Sequence, residues 1–285
     1  MKRNAQGGMA VIEWFDAGPD APWLHFAHAT GMCAEVYAAL LEPLAGEFNI
    51  VASDARGHGR STLSADPAEL HDWRTYQDDL AVLLAHYEAG PWLLAGHSMG
   101  ASVSLELASR LPALASSVIV IEPPFVPFDR AAAWTAAKAS GEVPINPMSQ
   151  QAAKRRSIFA SRNAARDNWR GRGVFADWPD TALDAYVDGG MRDRPDGQVE
   201  LACSPAWEAA TFAAVTSTLE QAVKSWTGGL TLLYGTVGST VGAADAEALA
   251  ALRPDARIER IEGANHFLPL AFPDRVRAAI RAAKR

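Results

Sequence analysis

Hydrophobic positions along this chain fall into short continuous runs separated by stretches in which they recur every three or four residues. Met9 to Phe15 alternates loosely and ends in the turn-rich stretch from Asp16 to Pro22, and Trp23 to Ala27 is a second apolar run. Both read as strands. Glu35 to Leu44 carries Val36, Leu40 and Leu44 four apart, the apolar face of a helix. Asn49 to Ala52 predicts another strand, and Asp72 to Tyr87 another helix through Tyr76, Leu80, Leu83 and Leu84. The run from Trp92 to Ala95 meets Gly96-His97-Ser98-Met99-Gly100, after which Val103, Leu107 and Leu111 continue at helical spacing. That is strand, sharp turn, helix. Ser117-Val118-Ile119-Val120-Ile121 is the β-branched run of a strand covered on both faces. Strands alternating with helices in this way predict a largely parallel sheet.

The alternation stops at Glu122-Pro123-Pro124. From Phe125 to about Gly228 no comparable strand is visible; the segment reads as helical and Arg-rich, broken by Pro144, Pro147, Pro179, Pro195 and Pro205. It is too long for a loop and reads as an inserted helical cap. The strand signal returns at Leu230 to Gly235, followed by a helix over Ala243 to Leu252, a strand at Arg257 to Ile261, a loop from Glu262 to Phe267 and a closing helix over Pro273 to Ala283. The expected organisation is a core of residues 1–124 with 229–285, and a cap of residues 125–228.

Composition narrows the partners. With 285 residues, 49% hydrophobic and 21% charged, the chain can bury a sizeable core. Its net charge of -7 offers no basic field for nucleic acid or an anionic membrane, so a small-molecule partner is expected. Cys33 and Cys203 are too few for a disulfide framework or a cysteine metal site and suit a reducing compartment. No apolar run of signal-peptide length follows Met1 to Gly8, and no stretch approaches membrane-spanning length. The expectation is a cytoplasmic protein, monomer or homodimer, with no metal and no organic cofactor.

The chemistry starts at Ser98. In Gly96-His97-Ser98-Met99-Gly100 the glycines suit a turn so tight that a Cβ at either would collide with the neighbouring strand or helix. Alone, the pattern fits equally a serine capping a helix. Three further motifs supply context: the turn His28-Ala29-Thr30-Gly31, the loop Asp54-Ala55-Arg56-Gly57-His58-Gly59-Arg60-Ser61, and the loop Gly263-Ala264-Asn265-His266-Phe267. In this order the four resemble the serine-nucleophile, esterase/lipase-like branch of the α/β-hydrolase superfamily, over roughly Val11 to Pro124 and Leu230 to Ile280. The resemblance implies an α/β fold with a mostly parallel, doubly wound sheet and a helical cap inserted after the sixth strand.

It also implies a triad in the order serine, acid, histidine. Six of the seven histidines precede Ser98, and only His266 follows it. A serine hydroxyl needs such an imidazole to take its proton. The acid is less direct. Relatives carry it in a Gly-x-x-Asp pattern after the strand ending at Tyr234, where this chain has Gly235-Thr236-Val237-Gly238-Ser239-Thr240, and the next carboxylate is Asp245. Glu122, closing the preceding strand, is the preferred candidate, because some branches of the fold place the acid there and an imidazolium partner would compensate a carboxylate at the end of so apolar a run. Asp245 remains the alternative. By resemblance the oxyanion donors are the backbone N–H groups of Met99 and Thr30, with Ala29 an alternative to Thr30. His28, His58, Arg56 and the Asp54 loop read as braces.

The cap holds Trp134, Trp169, Trp178, Trp207 and Trp226, with Phe125, Phe128, Phe159, Phe175 and Phe212. Most are expected in its own core, with two or three touching substrate. The basic run Lys154-Arg155-Arg156 with Arg162, Arg166, Arg170 and Arg172 fits a solvated face better than a substrate anion site. Together these readings predict a serine hydrolase that cleaves a small, mainly apolar carboxylic ester through an acyl-enzyme. Lactones, thioesters and carbon–carbon bonds beside a ketone are alternatives for the same triad, and a non-catalytic ligand-binding receptor on the same fold is the alternative from another class.

Overall fold

The computed structural model of the chain describes residues 1–124, 126, 128–140 and 146–284. Of the positions marked in the cap, Phe125, Pro144 and the side chain of Phe128 lie outside what is described. Eleven strands occur in chain order among the described residues: β1 (Lys2–Gln6), β2 (Met9–Trp14), β3 (Trp23–Ala27), β4 (Asn49–Ser53), β5 (Trp92–His97), β6 (Ala115–Ile121), β7 (Ile158–Phe159), β8 (Met191–Asp193), β9 (Val199–Leu201), β10 (Gly229–Gly235) and β11 (Arg257–Ile261). Eight form one sheet in the order β1-β2-β4-β3-β5-β6-β10-β11. The β1/β2 and β2/β4 pairings are antiparallel and the remaining five parallel.

The runs that read as strands in the sequence are strands because both faces are covered. Along β6, Ile119 and Ile121 join one apolar cluster with Tyr37, Leu40, Val276 and Ile280, while Val118 and Val120 join another with Leu83, Leu105, Leu107 and Leu249. Alternate residues thus bury against helices on opposite sides, the period-two rule of a doubly wound sheet. After β4 the chain crosses over β3 to reach β5, so the connections leaving β3 and β5 diverge at their carboxyl ends. Such a switch point opens a crevice, and open α/β sheets place ligands there. The His28 turn follows β3 and Ser98 follows β5.

Two features depart from the expectation. The strand β1 was not legible, because an exposed antiparallel edge of Lys2, Arg3, Asn4, Ala5 and Gln6 needs no apolar positions. The segment between β6 and β10 is also not purely helical. It carries helices Phe128–Ala139, Pro147–Ala152, Arg162–Trp169, Asp180–Gly190, Pro205–Ala213 and Leu219–Ser225, together with a small antiparallel sheet of order β7-β9-β8. Strands of two or three residues are too short to show alternation. Pro147 and Pro205 occupy first helical positions, with the Asn146 and Ser204 side chains accepting the Met148 and Trp207 N–H groups; here proline starts helices rather than breaking them. Among the described residues no helix is long and apolar enough to cross a membrane.

Candidate active site

Ser98 sits at φ 53° and ψ -119°, a left-handed conformation that costs a non-glycine residue about 1–3 kcal/mol. The surroundings enforce it. A Cβ on Gly96 would stand 2.3 Å from the Gly100 carbonyl carbon, and one on Gly100 would stand 2.3 Å from the Ala27 carbonyl oxygen. Strand, turn and helix are therefore packed backbone to backbone, and the Ser98 N–H is anchored on the Ile121 carbonyl at 2.9 Å. The Ser98 side chain makes no capping hydrogen bond to the helix Met99–Arg110, so its hydroxyl is not consumed as a helix cap. It faces a cavity of about 440 Å³ shared with Thr30 and His266.

His266 Nδ1 lies 3.2 Å from Glu122 Oε2. That leaves Nε2 as the ring nitrogen available to the serine proton. No hydrogen bond from Ser98 Oγ occurs among the described residues; such contacts often close only with substrate in place. Glu122 is fully buried, and like Ser98 it has a positive φ, 52°. Its carboxylate is received by the loop in which the usual acid is missing. The Gly235 N–H donates to Oε1 at 2.5 Å, the Ser239 hydroxyl donates at 2.8 Å and the Thr240 N–H donates to Oε2 at 3.0 Å. Burial pushes the Glu122 carboxyl up, but the hydrogen bonds from His266, Gly235 and Ser239 outweigh it, and the net shift is downward. Asp245 does something else: it accepts the Gly242 N–H at 2.9 Å and caps the helix Ala243–Leu252.

The turn after β3 separates its two candidate donors. The Ala29 N–H donates to the Tyr37 hydroxyl at 3.3 Å, whereas the Thr30 N–H has no acceptor among the described residues. The Met99 N–H, at the first turn of its helix, is likewise without an acceptor among them. A wire of hydrogen bonds continues from Ala29. The Tyr37 hydroxyl meets His97 Nδ1 at 2.7 Å, and His97 Nε2 meets the His266 carbonyl oxygen at 2.8 Å. Burial drives His97 down to about 3, so the ring is neutral; with Nε2–H donating to a carbonyl, Nδ1 accepts from Tyr37. The His28 turn and the His266 loop are thus tied together through the residue before the serine.

The remaining polar residues of the motifs brace the loops. His28 Nδ1 donates to the Ala29 carbonyl at 2.7 Å while Nε2 accepts the Ala55 N–H at 2.9 Å. Asp54 accepts the Ala34 and Arg60 N–H groups at 2.8 and 2.7 Å, and Arg56 makes a two-pronged pair with Asp79 at 2.9 and 2.7 Å. Three of the tryptophans and phenylalanines marked in the cap line the cavity, Phe175, Trp178 and Phe212. Sequence reasoning missed Tyr186 and Glu208, which line it, and it expected Arg155 on a solvated face; Arg155 instead lines the cavity, drawn in by its pairing with Glu208. Among the described residues no group of three or more His, Cys, Asp or Glu side chains is arranged to hold a metal ion.

Comparison with known proteins agrees with this architecture. Residues 26–279 match the model of the alpha/beta hydrolase family. The 2-(acetamidomethylene)succinate hydrolase of Mesorhizobium japonicum is 29% identical over 253 residues, 89% of this chain and 84% of that protein. The crystal structure of E-2-(acetamidomethylene)succinate hydrolase is 25% identical, with a TM-score of 0.76 over 96% of this chain and 94% of that one. A thioesterase domain from the curacin biosynthetic pathway, 20% identical, has the same fold, with a TM-score of 0.72 over 98% of each chain.

Proposed function

We propose that this chain, which belongs to the α/β-hydrolase family, is a serine hydrolase that cleaves a small, mainly apolar carboxylic ester through an acyl-enzyme. In this reading Ser98 Oγ attacks the ester carbonyl while His266 Nε2 takes its proton. Glu122 holds His266 in the tautomer with Nδ1 protonated and stabilises the imidazolium that forms. The negative oxygen of the tetrahedral intermediate is held by the Met99 and Thr30 N–H groups. His266 passes the proton to the departing alkoxide, and the alcohol leaves. Water then attacks the acyl-serine, giving one proton to His266 and through it to Ser98 Oγ, and the carboxylic acid is released. The sequence of steps needs no metal and no organic cofactor.

The observation that carries this reading is the hydrogen bond between His266 Nδ1 and the buried Glu122 carboxylate, on a ring that shares its cavity with the strained Ser98. A non-catalytic receptor would have no need for a strained serine facing its ligand. The test is a fluorophosphonate probe followed by peptide mapping, with turnover of p-nitrophenyl esters of graded acyl length run alongside lactones, thioesters and 1,3-diketones. Labelling at Ser98 and ester turnover are expected. Absence of labelling in the folded protein would overturn the reading. A second reading, hydrolysis of an acylamino dicarboxylate, has in its favour the name of the 29% identical relative.

A further inference from the structure

Part of the cavity wall is built from three side chains that contact one another, Arg155, Glu208 and Tyr186. Arg155 Nη1 donates to both oxygens of Glu208, at 2.7 and 2.6 Å, and its Nη2 donates to the Tyr186 hydroxyl at 3.0 Å. The pair is sheltered, with 24% of the Arg155 side chain and 8% of the Glu208 side chain exposed. Glu208 is pressed against the His28 turn. Gly31 has φ +73°, and a Cβ there would stand 2.6 Å from Glu208 Oε1. A carboxylate therefore lies one residue from Thr30, the proposed oxyanion donor, and Arg155 is what cancels its charge.

We infer that the Arg155–Glu208 pair is a specificity device that selects an uncharged distal group on the acyl chain and rejects a carboxylate there. This rests on the serine-hydrolase reading above and names its substrate class. The guanidinium has five N–H donors, and the contacts to Glu208 and Tyr186 leave some of them free. Those can meet a single neutral acceptor such as a ketone, amide or ether oxygen. A substrate carboxylate, in contrast, would put a second anion beside Glu208 with one cation to serve both, in a cavity whose other walls include Phe175, Trp178, Phe212 and Val215. Like charges juxtaposed in such surroundings are strongly unfavourable. The dicarboxylate reading is thereby disfavoured for this chain.

Two esters of nearly equal shape separate the cases: p-nitrophenyl 4-oxopentanoate, ending in a methyl ketone, and p-nitrophenyl hemisuccinate, ending in a carboxylate. The wild-type protein is expected to favour the ketone ester in kcat/KM by at least about tenfold. Glu208→Gln, which keeps the shape and removes the negative charge, is expected to shrink or reverse that ratio by a similar factor. Equal or better use of the hemisuccinate by the wild type would overturn the inference, as would an unchanged ratio in Glu208→Gln. Should Glu208→Gln not fold, the wild-type ratio alone decides. Calorimetric binding of both esters to Ser98→Ala reads the same preference as a ratio of Kd values without turnover. Failure of the catalytic reading, seen as no turnover of any ester, is thus distinguishable from failure of this one.

Discussion

The sheet and the segment inserted after β6 contribute different things to one cavity. Every proposed catalytic group comes from the carboxyl end of a sheet strand or the loop after it: Thr30 after β3, Ser98 and Met99 after β5, Glu122 after β6 and His266 after β11. The insertion supplies Arg155, Phe175, Trp178, Tyr186, Glu208 and Phe212, which shape the cavity without touching the triad's hydrogen bonds. The strand ends that carry these groups are fixed by backbone packing and buried hydrogen bonds, and both regions add partly exposed ion pairs, Arg56–Asp79 and Arg281–Glu47 in the sheet region, Arg162–Asp193, Arg166–Asp184, Arg170–Asp180 and Arg194–Glu200 in the insertion. In the proposed reading, chemistry rests on strand ends packed backbone to backbone, and selection on the inserted segment.

The comparison is tested hardest by removing the nucleophile. Ser98→Ala is expected to lower kcat by about 10⁵-fold or more while leaving ester binding to the cavity measurable, because the insertion still forms its walls. Retention of activity would transfer the chemistry out of the sheet. Next in size, Glu122→Gln is expected to lower kcat by about 10³–10⁴-fold, as the neutral amide no longer holds the productive tautomer of His266. Asp245→Asn serves as its control. That carboxylate caps a helix and is expected to leave kcat within about threefold of wild type. If Asp245→Asn were the crippling variant instead, the assignment of the acid to β6 would be wrong.

Why the sheet was legible in detail and the insertion only in outline follows from the local constraints on each. Strands β5 and β6 are buried on both faces, which forces continuous apolar runs, and the tight contact of Gly96 with Gly100 forces small residues at fixed spacing. Physical constraints that local leave a local signature. Glu122 was readable for a related reason: a carboxylate closing so apolar a run requires partners. Those partners, Ser239 and Thr240, occupy the loop whose missing acid had been the puzzle. Glu208 left almost no trace, because its partner Arg155 lies 53 positions earlier and the pairing is made by tertiary packing alone. The one available signal was its place beside Trp207 and Thr211 on the buried face of the helix Pro205–Ala213.

Acid separates the two regions by a smaller amount. All seven histidines lie outside residues 125–228. Burial drives His25, His58 and His97 down to about 3 from an ordinary 6.5, and it lowers His28 as well. Groups with depressed values give stability that is full above 6.5 and is lost as the pH falls toward 3, since only the unfolded chain takes up the protons. Between pH 7 and 5 three such rings cost about 6 kcal/mol. Glu106 acts in the opposite sense. Burial raises it to about 7, so its contribution is greatest below 4.5 and fades as the pH rises through 7, returning about 2 kcal/mol on acidification. The expectation is a protein less stable at pH 5 than at pH 7, read from urea unfolding at the two pH values. Equal stability at both would mean that the buried histidines of the sheet region are not held neutral.

The smallest effect concerns the arginines of the insertion. Arg155 is sheltered against Glu208, but the run that follows it in sequence is not: Arg162, Arg166 and Arg170 keep 33%, 32% and 50% of their side chains exposed while pairing with Asp193, Asp184 and Asp180. Exposed pairs of this kind are worth about 0–1 kcal/mol each, because water already stabilises both charges and salt screens what remains. Alanine at any of the three is therefore expected to change stability by less than about 1 kcal/mol and kcat/KM by less than about twofold. The ratio between ketone and carboxylate esters should not move, since none of the three lines the cavity. A shift in that ratio on removing Arg166 or Arg170 would mean that the field of the whole basic run, rather than the single Arg155–Glu208 pair, governs what the cavity accepts.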